Sequence, residues 1–126
     1  MSAIARQLSD NGPKPLRVLI ADDHPLMLAG IRRTLERSEY IEIVGEARSG
    51  PEVLDLVEGS RPQVVLLDLR MPGMSGDECI EQIRTSWPDV KVVVLSALDD
   101  TQSIDAALDA GASAYVVKSV MPFSSA

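Results

Sequence analysis

Aromatic residues are scarce, at 3% of 126 residues, yet 45% of the chain is hydrophobic. Any core must therefore be assembled from Val, Leu, Ile and Ala. One cysteine, Cys79, and one histidine, His24, are present. That count excludes an intrachain disulfide and a Cys/His zinc site, and it fits a reducing cytoplasm. No apolar run approaches the roughly 20 residues of a membrane-spanning helix, and residues 1–15 lack the apolar stretch of a signal peptide. Basic residues are also in deficit, 12 against 19 acidic, for a net charge of −7. No basic stripe is visible, so direct nucleic-acid binding by this chain is not expected. The acidity itself has two readings, solubilising surface charge or a specific cation site.

What is present is an alternation of short apolar runs and amphipathic stretches in a length that suits one domain. Residues 1–15 read as an extension, with turn chemistry at Asp10-Asn11-Gly12-Pro13. Leu16 to Ala21 predicts a buried strand. Pro25 to about Ser38, with Leu28, Ile31 and Leu35 at helical spacing, predicts a helix. Ile41 to Ala47 predicts the second strand. Ser49-Gly50-Pro51-Glu52 is a capping box opening a helix with Val53, Leu54 and Val57 on one face, closed by Gly59. Val64 to Leu67 shows no alternation and predicts a strand buried on both faces. Ser75-Gly76-Asp77-Glu78 opens a helix bearing Ile80, Ile83 and Trp87. Val92 to Leu95 is the fourth strand. Asp99 or Asp100 caps a helix with Ile104 and Leu108, Gly111 ends it, and Tyr115 to Val117 is the fifth strand. The fold class is α/β, a flavodoxin-like doubly wound parallel sheet of five strands in the order 2-1-3-4-5.

Asp22 and Asp23 directly follow the first strand, and Asp68 ends the third. In this strand order the reversal falls between strands 1 and 3, where ligands gather at the carboxyl ends. Three carboxylates in one cleft repel one another unless a cation joins them, and Mg²⁺ suits such hard oxygen ligands. Ser96 ends the fourth strand and Lys118 follows the fifth. Carboxylate, cation, hydroxyl and ammonium together suit a phosphoryl group. Taken singly these residues are unremarkable: Asp22-Asp23 reads as a helix cap before Pro25, and Lys118 as a surface lysine. His24 reads as a loop residue near the pocket, Cys79 as helix packing beside Ile80 and Ile83, and Met71 and Met74 as loop packing.

The sequence here resembles the receiver domain of two-component response regulators, over roughly Leu16 to Ser119. The matching residues are Asp22-Asp23, the stretch Val65-Leu66-Leu67-Asp68-Leu69-Arg70-Met71-Pro72-Gly73-Met74-Ser75-Gly76, Ser96-Ala97, and Tyr115-Val116-Val117-Lys118. Asp22-Asp23-His24-Pro25-Leu26 with Asp68-Leu69-Arg70-Met71-Pro72-Gly73 is similar to the subfamily named after NarL and FixJ, whose members usually carry a LuxR-type output domain. The resemblance implies a cytoplasmic signalling domain rather than a turnover enzyme, catalysing only its own phosphorylation and dephosphorylation. Asp68 would accept phosphate from a sensor histidine kinase. Mg²⁺ would be bound directly by Asp23, Asp68 and the backbone carbonyl of Arg70, with Asp22 helping through water. Ser96 and Lys118 would bind the phosphoryl oxygens. Tyr115 would be the switch aromatic that follows Ser96, and the output would be transcription regulation.

The chain departs from that family in two places. Ser119 follows Lys118 where many receivers have proline, and eight residues follow Lys118 where a fifth helix is usual. The expectation is thus a domain over 16–119, a tail over 120–126, and a fifth helix and output domain that are missing. Right-handed crossovers put the first helix alone on one sheet face. Strands 3 to 5 would then be bare on that face, and self-association of two copies is preferred as the cover over the extension carrying Ile4 and Leu8. Two other readings compete. Phosphatases of the haloacid dehalogenase type use a strand-end Asp nucleophile, but they want an acid/base Asp where this chain has Arg70. A pure interaction domain with a dead pocket tends to lose the acceptor or the lysine, and both are here.

Overall fold

The computed structural model describes residues 14–120. The extension with Ile4 and Leu8, and the last part of the tail, lie outside them. Nine regular elements alternate: β1 Leu16–Ala21, α1 Pro25–Leu35, β2 Ile41–Ala47, α2 Gly50–Ser60, β3 Val64–Leu67, α3 Gly76–Ser86, β4 Lys91–Ser96, α4 Thr101–Ala110 and β5 Ala114–Val117. A 3₁₀ turn over Lys118–Val120 follows. All strand pairs are parallel, as the alternation of elements implied, and the order is β2-β1-β3-β4-β5, the one expected of a flavodoxin-like sheet.

Local chemistry sets the helix starts. Ser49 and Ser75 accept hydrogen bonds from the backbone N–H groups of Glu52 and Glu78, and Asp100 caps α4 through Ser103. Each satisfies a donor that the first helical turn leaves unpaired. The Glu52 carboxylate reaches back to the N–H of Arg48, one residue beyond the usual reciprocal partner, the N–H of Ser49. The helix ends are less faithful to expectation. α1 stops at Leu35, before Ser38, with Glu36 as its cap. Gly59 does not close α2: the helix runs through it to Ser60, and Arg61 takes the left-handed conformation at φ 48°. Arg17 holds that turn by donating to the carbonyls of Ser60 and Arg61, a long-range restraint on a residue with a β-carbon.

Two apolar clusters sandwich the sheet. Leu19, Ala21, Val65, Leu67, Val92 and Val94 face Val53, Val57, Ile80, Ile83 and Ala107 of α2, α3 and α4. On the other face Val18, Ile20 and Leu95 meet Leu28 and Ile31 of α1. This is the division of helices that right-handed crossovers require. The expectation that β3 is buried on both faces is corrected: Val65 and Leu67 are fully buried, whereas Val64 and Leu66 are half-buried. Val93 of β4 and Val116 of β5 are half-buried as well. The reason is coverage, since among the described residues α1 is the one helix on that side. α4 is also held less firmly than its pattern suggests. Its fully buried side chain is Ala107, while Leu108 is 42% exposed.

Candidate functional site

β1 and β3 lie side by side, with Ala21 paired to Leu67, so Asp22 and Asp68 leave adjoining strand ends together. Their backbones continue the ladder: the N–H of Asp22 donates to Ala47 and that of Asp68 to Ala21. Asp22 is 1% exposed and Asp68 3%. Carboxylates this buried demand partners. Lys118 supplies one for both, with Nζ 2.7 Å from Asp22 Oδ2 and 3.3 Å from Asp68 Oδ2. The other oxygens turn to the backbone, where Asp22 Oδ1 accepts from His24 N–H and Asp68 Oδ1 from Arg70 N–H.

The two carboxylates respond differently to this setting. Burial raises both, but at Asp22 the short Lys118 bond and the His24 N–H outweigh it and hold the carboxyl below its ordinary range. At Asp68 burial wins: the Lys118 contact is longer, Asp22 adds repulsion, and the carboxyl is pushed up. Burial disfavours the Lys118 ammonium, yet the two aspartates more than compensate and its pKa rises.

Asp23 is half-buried at the mouth. Its Oδ1 is shut away from solvent and takes no hydrogen bond. One atom each from Asp22, Asp23, His24 and Asp68 all lie within 4.8 Å of one another. Three carboxylates, one with an orphan buried oxygen, suit a divalent cation, and Asp22, Asp23 and Asp68 could hold it. Neither Asp22 nor Asp23 caps α1; that position belongs to His24.

Ser96 is fully buried at the end of β4 and its hydroxyl accepts from the N–H of Leu98 at 3.1 Å. The hydroxyl of Tyr115 donates to the carbonyl of Leu98 at 2.7 Å. Tyr115 is half-buried, its ring against the α2–α4 side of the core. The sequence reading did not foresee two features. His24 is drawn into the acidic cluster, and Leu98 joins Ser96 to Tyr115 through its peptide groups. Adjacency to Asp23 was an available signal for the first; a link through backbone atoms leaves none in side-chain identities.

The family model for the response regulator receiver domain matches residues 18–123. The chain belongs to that family. The receiver is 38% identical over 107 residues to the transcriptional regulatory protein YhcZ of Bacillus subtilis, covering 85% of this chain and 50% of that protein. It is 34% identical over 109 residues to the nitrate/nitrite response regulator protein NarL of Escherichia coli K12, covering 86% and 50%. Among solved structures, the signal receiver domain of NarL from Mycobacterium tuberculosis superposes with a TM-score of 0.83 at 37% identity, covering 86% of this chain and 88% of that one. This is a receiver domain of the NarL type, a signalling module, and it spans about half the length of these curated relatives. No helix among the described residues is long and apolar enough to cross a membrane.

Proposed function

We propose that the domain takes a phosphoryl group from the phosphohistidine of a sensor histidine kinase onto Asp68. The carboxylate oxygen attacks phosphorus as the P–N bond breaks, and the imidazole, protonated on its other ring nitrogen before transfer, leaves neutral as the aspartyl phosphate forms. The observation that carries this reading is Asp68 itself, a nearly inaccessible carboxylate placed between an ammonium and two further carboxylates. Asp23, Asp68 and the Arg70 carbonyl would hold Mg²⁺, with Asp22 assisting through water. When bound, the ion supplies charge neutralisation at the phosphoryl oxygens. Lys118 and Ser96 would pair with those oxygens. Lys118 would have to give up part of its hold on Asp22 and Asp68, and Ser96 its bond from Leu98.

That exchange supports a switch. Releasing Leu98 N–H from Ser96 frees the same peptide segment whose carbonyl holds the Tyr115 hydroxyl, so Tyr115 would turn inward as Ser96 moves. Leu98 also walls a groove of about 350 Å³ with Leu69, Gly76 and Ala106, which the motion would reshape. The output is proposed to be transcription regulation through a DNA-binding domain, in the cytoplasm, with self-association along the α1 face of the sheet.

Incubation with acetyl phosphate and Mg²⁺, followed by intact-mass measurement, tests the reading. A lasting gain of one phosphoryl group, absent in Asp68→Asn, is expected. Rapid phosphate release would favour a phosphatase, although Arg70 stands where an acid/base carboxylate is needed. No reaction would mark a dead pocket.

A further inference from the structure

At the end of the sheet opposite the acidic pocket, a groove of about 340 Å³ runs between the entry to β3 and the turn from α3 to β4. Trp87, the one tryptophan of the chain, is half-buried there, with Pro62 and Pro88 beside it. Its N–H bonds to Ile83 as α3 ends, and its carbonyl accepts from Val90. That turn fixes where the indole is attached, and the proline rings are rigid, so little ordering cost falls on an occupant. Arg61 and Asp89 also line the groove, one charge of each sign. The phosphotransfer scheme uses none of these residues.

The chain enters the sheet beside this groove. Arg17 of β1 exchanges two hydrogen bonds with Gln63, which lines it: the Arg17 N–H donates to Gln63 Oε1, and the Arg17 carbonyl accepts from the Gln63 N–H. Leu16 begins the ladder, and Pro15 has no N–H to continue it, so the preceding segment leaves the sheet here. The eight steps from Leu8 to Leu16 reach up to about 28 Å, while the next two strands lie within about 10 Å.

We propose that the N-terminal segment of this chain docks in the groove, with Ile4 and Leu8 against Trp87, Asp10 toward Arg61 and Arg6 toward Asp89. The charges match in order as well as in sign. Arg61, whose carbonyl takes a bond from Arg17, is the nearer of the two to the entry point, and Asp10 is the nearer along the chain. Tethering favours this occupant over a second copy. A short linker holds the segment at an effective concentration on the order of millimolar, so two aliphatic side chains on an indole suffice. A second copy at micromolar concentration needs contacts about a thousandfold tighter to fill the groove equally.

Because Trp87 is the single tryptophan, its fluorescence reports on this groove alone. In the full chain, nuclear Overhauser contacts should link the Trp87 indole to the methyl groups of Ile4 and Leu8. The double substitution Ile4→Ser with Leu8→Ser lies outside the packed core. It should abolish those contacts, shift Trp87 emission to the red and speed its quenching by acrylamide. Ile4→Val with Leu8→Ile should keep the unaltered emission and quenching. Reversing one charge, Arg6→Glu, should weaken the contacts, and Asp89→Arg in the same chain should restore them. All of these signals should be unchanged by dilution. Absent indole contacts, with emission and quenching equal in the serine variant, overturn the inference. So do contacts that fade on dilution, which place a second copy in the groove, and contacts from Ile4 and Leu8 to Val93 and Val116, which place the segment on the other face of the sheet.

Discussion

Asp22 and Asp68 share one lysine, and their unequal geometry gives their replacement opposite signs. Burial and Asp22 make the ionised Asp68 side chain unfavourable in the fold. A carboxyl with a raised folded pKa costs stability above its ordinary value of 3.8. Asp68→Asn should therefore abolish phosphorylation while raising the metal-free melting point by a few degrees, at about 4 °C per kcal/mol for a domain this size. Asp22 is the reverse case, stabilised as the anion. Its contribution is present above 3.8 and is lost as pH falls through its lower folded value. Asp22→Asn should lower the melting point, by about 1–3 kcal/mol in stability, and should flatten the acid limb of a stability–pH curve. Thermal melts of both variants without metal check the pair, and equal signs would count against the assigned geometry. Cys79, 1% exposed and pushed up to about 11 by burial, with Glu78 adding to it, should react with a thiol reagent no faster than the chain unfolds. A fast reaction in native buffer would contradict its packing.

At the scale of elements, the loop after β3 depends on glycine. Gly73 has φ +88° and an added β-carbon would stand 2.8 Å from Pro51 Cδ. Gly73→Ala combines a strained backbone with that contact and should cost about 1–3 kcal/mol in chemical denaturation. α4 is the element to watch during switching. Its one fully buried side chain is Ala107, and few buried apolar contacts mean a low local opening free energy. Amide hydrogen exchange should be faster in α4 than in α3, and phosphorylation should change it selectively in α4 and β5. Tyr115→Phe removes the bond to Leu98 and should raise exchange in the segment before α4 without phosphate. A uniform response across the sheet would refute the relay from Ser96 to Tyr115.

For the whole molecule the unequal faces of the sheet matter most. α2, α3 and α4 cover one face, where Leu19, Val65, Leu67, Val92 and Val94 are fully buried, while Val64, Leu66, Val93 and Val116 stay half-buried on the other. Among the described residues α1 is the one helix over that face, and apolar side chains left partly open to water favour a partner surface. The chain should show a mass that rises with concentration in light scattering, and a double substitution, Leu66→Glu with Val93→Glu, should leave a monomer. A single-species monomer of the unaltered chain at high micromolar concentration would dismiss self-association through this face.

Much of this was legible in the linear chain because the signals were local and repeated. Apolar runs at strand length, with Ser49 and Ser75 three residues before glutamates, marked five strands alternating with helices; their order came from the doubly wound fold class that this alternation indicates, and right-handed crossovers placed the helices on the two faces. The strand-end positions of Asp22, Asp23, Asp68, Ser96 and Lys118 then followed from topology alone. Other outcomes needed atoms from distant segments to meet. Arg17 steadies a left-handed Arg61, so α2 overran Gly59. The thin cover over Val64 and Leu66 depends on how many helices reach that face, which an unbroken apolar run does not encode. The opposite shifts of Asp22 and Asp68 come from a difference of 0.6 Å in reach from Lys118 and from two backbone N–H groups. The turn that brings His24 Nδ1 against two carboxylates is likewise a matter of tertiary geometry, because spacing along the chain fixes which residues are neighbours but not where their side-chain atoms converge.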